Sequence, residues 1–203
     1  MMARTGPGQR SFIEQARRGQ IVAAAIDVLY ESGFAAASLG AIAERIGVSK
    51  GVISYHFASK DELLREVVAH VLAEASQYMG PRIEAASSAL DALRRYVTSN
   101  LDYISAQRRK IMAFTEIVNG MPPGGAEPAP YDEGHQRAVA ALQQLLENGQ
   151  AAGEFGAFSA WAAAVSLRAS IDALSGLLRA DPEMDVTGYG RQLLGLYERA
   201  VRP

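Results

Sequence analysis

Apolar side chains recur along this 203-residue chain at steps of three and four, and no stretch alternates with period two. The pattern predicts helices throughout and an all-α fold. Ile21, Ala25, Val28 and Leu29 mark one face of a first helix, over about Gln15–Ser32, which Gly33 ends. Ser38 is placed to cap a second, short helix with Leu39, Ile42, Ala43 and Ile46 on one face, and Gly47 closes it. Ser49 starts a third that runs to Phe57. Ser59 starts a fourth, with Asp61 and Glu62 in its positively polarised first turn. The fourth stripe is Leu63, Leu64, Val67, Val68, Val71 and Leu72, and Gly80-Pro81 is expected to break it just after Met79.

Longer elements follow. Leu90, Leu93, Val97, Leu101 and Ile104 predict a long helix, and Arg108–Asn119 a shorter one. Asn119–Gly134 holds four prolines and reads as a loop or disordered segment. His135–Asn148 reads as helix, Gly149–Phe158 as a turn region and Ser159–Ala180 as one long alanine-rich helix. Asp181-Pro182 precedes a last helix over about Asp185–Val201. Three short helices, a linking fourth and a larger bundle divide the chain at residues 1–60 and 61–203. Residues 1–11, with Arg4 and Arg10, are expected to be a disordered arm.

Charge sharpens this division only slightly. Residues 1–65 carry eight Lys+Arg against six Asp+Glu, and the remainder twelve against sixteen. A weak basic bias at one end is compatible with a polyanion partner. The absence of cysteine excludes disulfides and thiolate chemistry. The arginine-rich start does not read as a signal peptide, and Phe155–Leu167 is too short to span a bilayer, so the expectation is a cytoplasmic protein with no membrane partner. His56, His70 and His135 lie far apart, with no metal-spaced cluster, phosphate loop or nucleophile arrangement. An enzyme is therefore not expected, nor a metal or cofactor.

The most informative stretch is Gly47–Leu64, "GVSKGVISYHFASKDELL". Two short helices that cross closely need a small residue at the crossing, a turn residue tolerant of positive φ and branched side chains to pin the second helix. Ala43, Gly47, Val48 and Ile53 supply these, which fits a helix-turn-helix and also a plain αα-corner. The outward face of the third helix separates the two. A plain bundle would place good helix formers there, whereas Lys50, Gly51, Ser54, Tyr55 and His56 are mostly poor ones. Gly51 permits close approach to a groove wall, Ser49, Ser54 and Tyr55 can donate to phosphate, and Lys50 can reach phosphate or a guanine edge. Lys60 adds charge where free backbone N–H groups already suit an anion. His56 either touches DNA or holds its helix end by bonding a backbone carbonyl. Arg17 and Arg18 either flank phosphates or form a solvated first turn.

Over about residues 15–68, and most closely at "SLGAIAERIGVSKGVISYHFASKDELL", the sequence resembles the DNA-binding domain of the TetR family of bacterial transcription regulators. The resemblance implies an N-terminal three-helix helix-turn-helix domain followed by a helical bundle for ligand binding and dimerisation. It makes Ser49–Phe57 the recognition helix, with Lys50, Gly51, Val52, Ser54, Tyr55 and His56 facing DNA and Lys60 the phosphate-contacting lysine. Together with Ser38 and Ser49, these residues make up the candidate DNA-binding set. Position 54 departs from the "YYHF" form of the motif, because Ser54 has a shorter reach than the usual tyrosine.

A homodimer would place two such helices on a near-palindromic double-stranded operator. Small residues on the last two helices suit a close helix-helix interface, with Ala162, Val165, Ala169, Ala173, Leu177, Leu193 and Tyr197 as candidates. The resemblance implies a four-helix dimer bundle there. Tyr96, Asn100 and Tyr103 share a face, and Met112, Phe114, Glu116 and Trp161 extend it into a candidate pocket for a small, largely apolar effector. Each of these also fits ordinary core packing. The expected function is ligand-responsive repression. A helical scaffold or an activator with the same DNA-binding mode is the alternative.

Overall fold

A computed structural model describes residues 7–121 and 130–203, with side chains for 13–121 and 131–203. The described residues form ten helices and no strand: α1 (Pro7–Ala36), α2 (Leu39–Arg45), α3 (Lys50–His56), α4 (Lys60–Glu84), α5 (Ala89–Ala106), α6 (Arg108–Gly120), α7 (Pro130–Ala151), α8 (Ala160–Asp172), α9 (Leu174–Ala180) and α10 (Val186–Ala200). The all-α expectation is met. The chain divides into two compact units, residues 1–70 with 112–123, and residues 71–111 with 124–203. Helices α4 and α6 both run from one unit into the other.

Several boundaries differ from the sequence reading, each for a local reason. Helix α1 begins at Pro7, a residue suited to a first helical turn because its φ is already set. The expected arm at 1–11 is therefore helical from Pro7, with Arg10 inside α1, while Arg4 lies outside the described residues. Gly33 does end the regular part of α1, with φ 76° and ψ 175°. Helix α4 runs through Gly80-Pro81 rather than stopping there. Proline removes one N–H from the ladder, and nearby Arg82 donates to the Tyr78 carbonyl with its guanidinium 3.7 Å from the Tyr78 ring centre.

Helix α7 starts at Pro130, not His135, again with proline in the first turn and with Asp132 and Glu133 beside it. The expected Asn119–Gly134 loop shrinks accordingly, because Asn119 and Gly120 close α6. Residues 122–129 of it lie outside the described residues. The long helix expected over Ser159–Ala180 is broken at Ala173. There the Ser170 carbonyl accepts from the Tyr189 hydroxyl at 2.7 Å and the Asp172 carbonyl from the Ser175 hydroxyl at 3.0 Å. Side chains take acceptors that an unbroken helix would use itself.

In the first unit, Ile21, Ala25, Leu29, Ile42, Ala43, Ile53, Phe57, Leu63 and Leu64 are buried, with α2 packed against both α1 and α3. In the second, Leu93, Val97 and Leu101 of α5 pack with Leu142 and Leu146 of α7, Leu167 and Ile171 of α8, and Leu174, Leu178 and Leu193 further on. Among the described residues no helix is long and apolar enough to cross a membrane.

Candidate nucleic-acid interface and sensor site

The head is assembled by caps and clamps around two short helices. Ser38 takes an extended backbone and its Oγ accepts from the Ala41 N–H at 3.1 Å, starting α2. Gly47 makes the turn with φ 66°, a conformation that costs a side-chain-bearing residue about 1 kcal/mol or more. Ser49 holds the first-cap position of α3, but its hydroxyl makes no capping hydrogen bond. Ser59 caps α4 by accepting from the Glu62 N–H at 3.1 Å, while Glu62 reaches back to the Ala58 N–H at 2.7 Å. Arg45 ties α2 to α1 through two bonds to Glu31, at 2.6 and 2.7 Å.

What this scaffold presents is the outer face of α3. Lys50, Gly51, Ser54 and Tyr55 are exposed, and Tyr55 is 76% accessible although it is a large aromatic residue. Ile53 and Phe57 point the other way and are fully buried, so the helix cannot rotate to hide the polar face. Val52 is only half-exposed. The His56 ring meets Tyr55 edge-on, with centroids 5.0 Å apart. Its backbone carbonyl is held by Arg18 at 2.6 Å, so the helix end is secured by Arg18 rather than by the imidazole.

Arg18 also bonds Glu66 at 3.0 Å and lies 4.1 Å from the Phe57 ring centre. That makes it a clamp from α1 onto α3 and α4, a role the sequence reading did not give it. Arg17 bonds Gln20 on its own helix. Lys60 lies inward too. Its ammonium donates to the Phe34 carbonyl at 2.8 Å and sits 4.3 Å from the Phe34 ring centre.

The candidate pocket residues are divided between the two units. Met112, Phe114 and Glu116 belong to the first unit, and Tyr96, Asn100, Tyr103 and Trp161 to the second. Glu116 accepts from the Phe34 N–H at 3.1 Å. Within the second unit Tyr96 and Asn100 are buried side by side and meet a residue that sequence reasoning missed. Arg168 is only 8% exposed, donates to the Tyr96 hydroxyl at 3.2 Å and to Asn100 Oδ1 at 2.9 Å, and pairs with Asp172 at 2.8 Å. Burial works against its charge, but the Tyr96 and Asp172 oxygens outweigh that and hold the guanidinium above its ordinary value. His135 faces the other Asp172 oxygen at 3.3 Å. The available signal was an Arg-Asp pair four residues apart inside an otherwise small and apolar segment.

Tyr103 stands apart from this cluster. It donates to the Val71 carbonyl at 3.3 Å and faces Glu74, which Lys110 also binds. Trp161 is 61% exposed on α8. Ala162, Ala169, Ala173 and Leu177 are likewise exposed, with Val165 and Tyr197 half-buried, so six of the seven expected dimer residues remain accessible. Leu193 is the exception, buried in its own unit's core. An open groove of about 400 Å³ lies between α5 and α10, lined by Thr98, Leu101, Ser105 and Gly190 among others, and contains none of the expected pocket residues.

Comparison with known proteins accounts for the first unit. The model of the bacterial regulatory proteins of the tetR family matches residues 21–67, which cover the second half of α1, all of α2 and α3 and the start of α4. Over these residues the chain is similar to the TetR family. An HTH-type transcriptional regulator BetI from Paraburkholderia phytofirmans is 33% identical over 91 residues, 44% of this chain and 47% of that protein. The BetI of Stenotrophomonas maltophilia is 32% identical over the same length. The chain thus matches about half the length of these curated relatives. A bacterial regulatory protein of the tetR family from Rhodococcus RHA1 has the same fold, with TM-score 0.78 and 20% identity, covering 91% of this chain and 96% of its own. The fatty acid degradation regulator FadR of Bacillus halodurans reaches TM-score 0.75 at 19% identity, covering 96% of each chain. The TetR likeness is thus one of sequence over the head and of fold over the remainder.

Proposed function

We propose that this chain is a TetR-family, sequence-specific DNA-binding repressor that acts as a homodimer and leaves its operator when a small molecule binds in the second unit. The observation that carries the reading is the exposed face of α3. Lys50, Gly51, Ser54 and Tyr55 are kept outward by the burial of Ile53 and Phe57. A seven-residue helix is about 10 Å long and enters a major groove end-on or obliquely. Lys50 reads a base edge or its phosphate, and Ser49, whose hydroxyl is not spent on capping, donates to the backbone along with Tyr55.

The accessible small and apolar face of α8 and α9, Ala162, Ala169, Ala173 and Leu177, supports pairing of two copies. The effector site is assigned to the buried neighbourhood of Tyr96 and Asn100. The molecule it takes is small and largely apolar, and Arg168 offers it one charged contact. Ligand and DNA then oppose each other through tilting of α4. Selection from random duplexes with the full-length chain tests this reading. A near-palindrome with half-sites about one helical turn apart supports it; recovery of no consensus sinks it.

A further inference from the structure

We propose that the Phe34 peptide is where α4 and α6 hold the DNA-binding head, and that Lys60 is a positioning residue rather than a phosphate contact. The grip stands on geometry alone; what it does for DNA binding rests on the regulator reading above.

Gly33, at φ 76°, turns the chain out of α1 and frees the Phe34 N–H from the helical ladder. Glu116 of α6 takes that N–H at 3.1 Å. The carbonyl at the other end of the same residue accepts from Lys60, the first residue of α4, at 2.8 Å, and also from the Ala37 N–H at 3.3 Å. The ring between them carries the Lys60 ammonium on its face at 4.3 Å. The α6 backbone presses on the same ring, since a Cβ at Gly120 would fall 2.2 Å from it. One residue is therefore held at its N–H, its carbonyl and its ring by the two helices that run on into the second unit.

The position matters because Phe34 lies four residues before the Ser38 cap of α2. Shifting either grip re-aims the α1–α2 turn, and with it the start of the helix-turn-helix. A lysine that donates to a carbonyl and lies on an aromatic face spends part of its reach and hydrogen-bonding capacity inside the protein.

Four variants of the full-length chain test this: Lys60→Met, Lys60→Arg, Glu116→Ala and Glu116→Gln. The first readout is hydrogen exchange at the Phe34 amide by NMR. Glu116→Ala should speed it at least tenfold, and Glu116→Gln, which keeps an acceptor, should restore most of the protection. The second is affinity for a duplex selected from random sequence, measured across a salt series. Lys60→Met should weaken binding about tenfold with an unchanged salt slope, Lys60→Arg should retain it, and the Lys60→Met, Glu116→Ala double variant should be no weaker than its worse parent. A slope flattened by about one unit in Lys60→Met would place the lysine on a phosphate and overturn the proposal. So would unchanged Phe34 exchange in Glu116→Ala, or losses that multiply. If the wild-type chain binds no duplex, the regulator reading falls and Lys60's role on DNA with it, while the exchange result still decides whether the grip exists.

Discussion

Lys50 and Lys60 are ten positions apart and carry the same charge, but the structure gives them opposite surroundings. Lys50 is exposed at the start of α3; Lys60 donates to the Phe34 carbonyl. On the present account, Lys50→Ala costs about 1–3 kcal/mol on the preferred sequence and shifts which base is preferred. Competition among single-base operator variants checks it, and equal losses on cognate and random DNA would move Lys50 to the backbone. Tyr103 makes a separate, pH-dependent prediction. Burial, and then the nearby Glu74 carboxylate, push its phenol well above the ordinary tyrosine value of 10, so the fold favours the neutral form. That stability is fully present below pH 10 and is lost as the pH rises beyond it. Melting curves from about pH 9 to 11 should show the wild-type Tm falling faster than that of Tyr103→Phe. Parallel curves would mean that the phenol ionises freely.

At the scale of elements, the head was legible in the sequence and the second unit only partly so. Ser38, Gly47 and Ser59 act through neighbours within a few residues, and local pattern reports local chemistry well. Replacing Ser38 by Ala should cost about 1 kcal/mol by removing the cap of α2, read as a lower Tm with unchanged helix content. What sequence could not give were long-range partners. Arg18 finds His56 thirty-eight positions away, Glu116 finds Phe34 eighty-two away, and Arg168 finds Asn100 sixty-eight away. Arg18 read as a phosphate flank or a solvated residue, Glu116 as a pocket candidate and Arg168 as nothing in particular until the fold supplied their partners. The break at Ala173 is of the same kind, because one of the hydroxyls that cause it comes from α10. Proline was misjudged in the other direction. Pro7 and Pro130 begin helices, and Pro81 sits within one near its end.

Over the whole molecule, the proposed function calls for two copies, since a single seven-residue helix buries too little DNA for tight binding. The accessible face of α8 and α9 carries Leu177, 40% exposed, and the exposed Trp161 lies on the same α8. Leu177→Glu should leave each chain folded and separate the pair, shifting sedimentation from dimer to monomer. A dimer that persists would place the interface elsewhere. The proposed function depends above all on the α2–α3 head reading DNA sequence. Its most direct test is fluorescence anisotropy of the full-length chain on a selected duplex and on a shuffled duplex of equal composition, across a salt series. A preference of about a thousandfold or more for the selected duplex is expected at physiological salt, with both affinities falling steeply as salt rises. Equal binding to the two duplexes, or binding to neither, would contradict it.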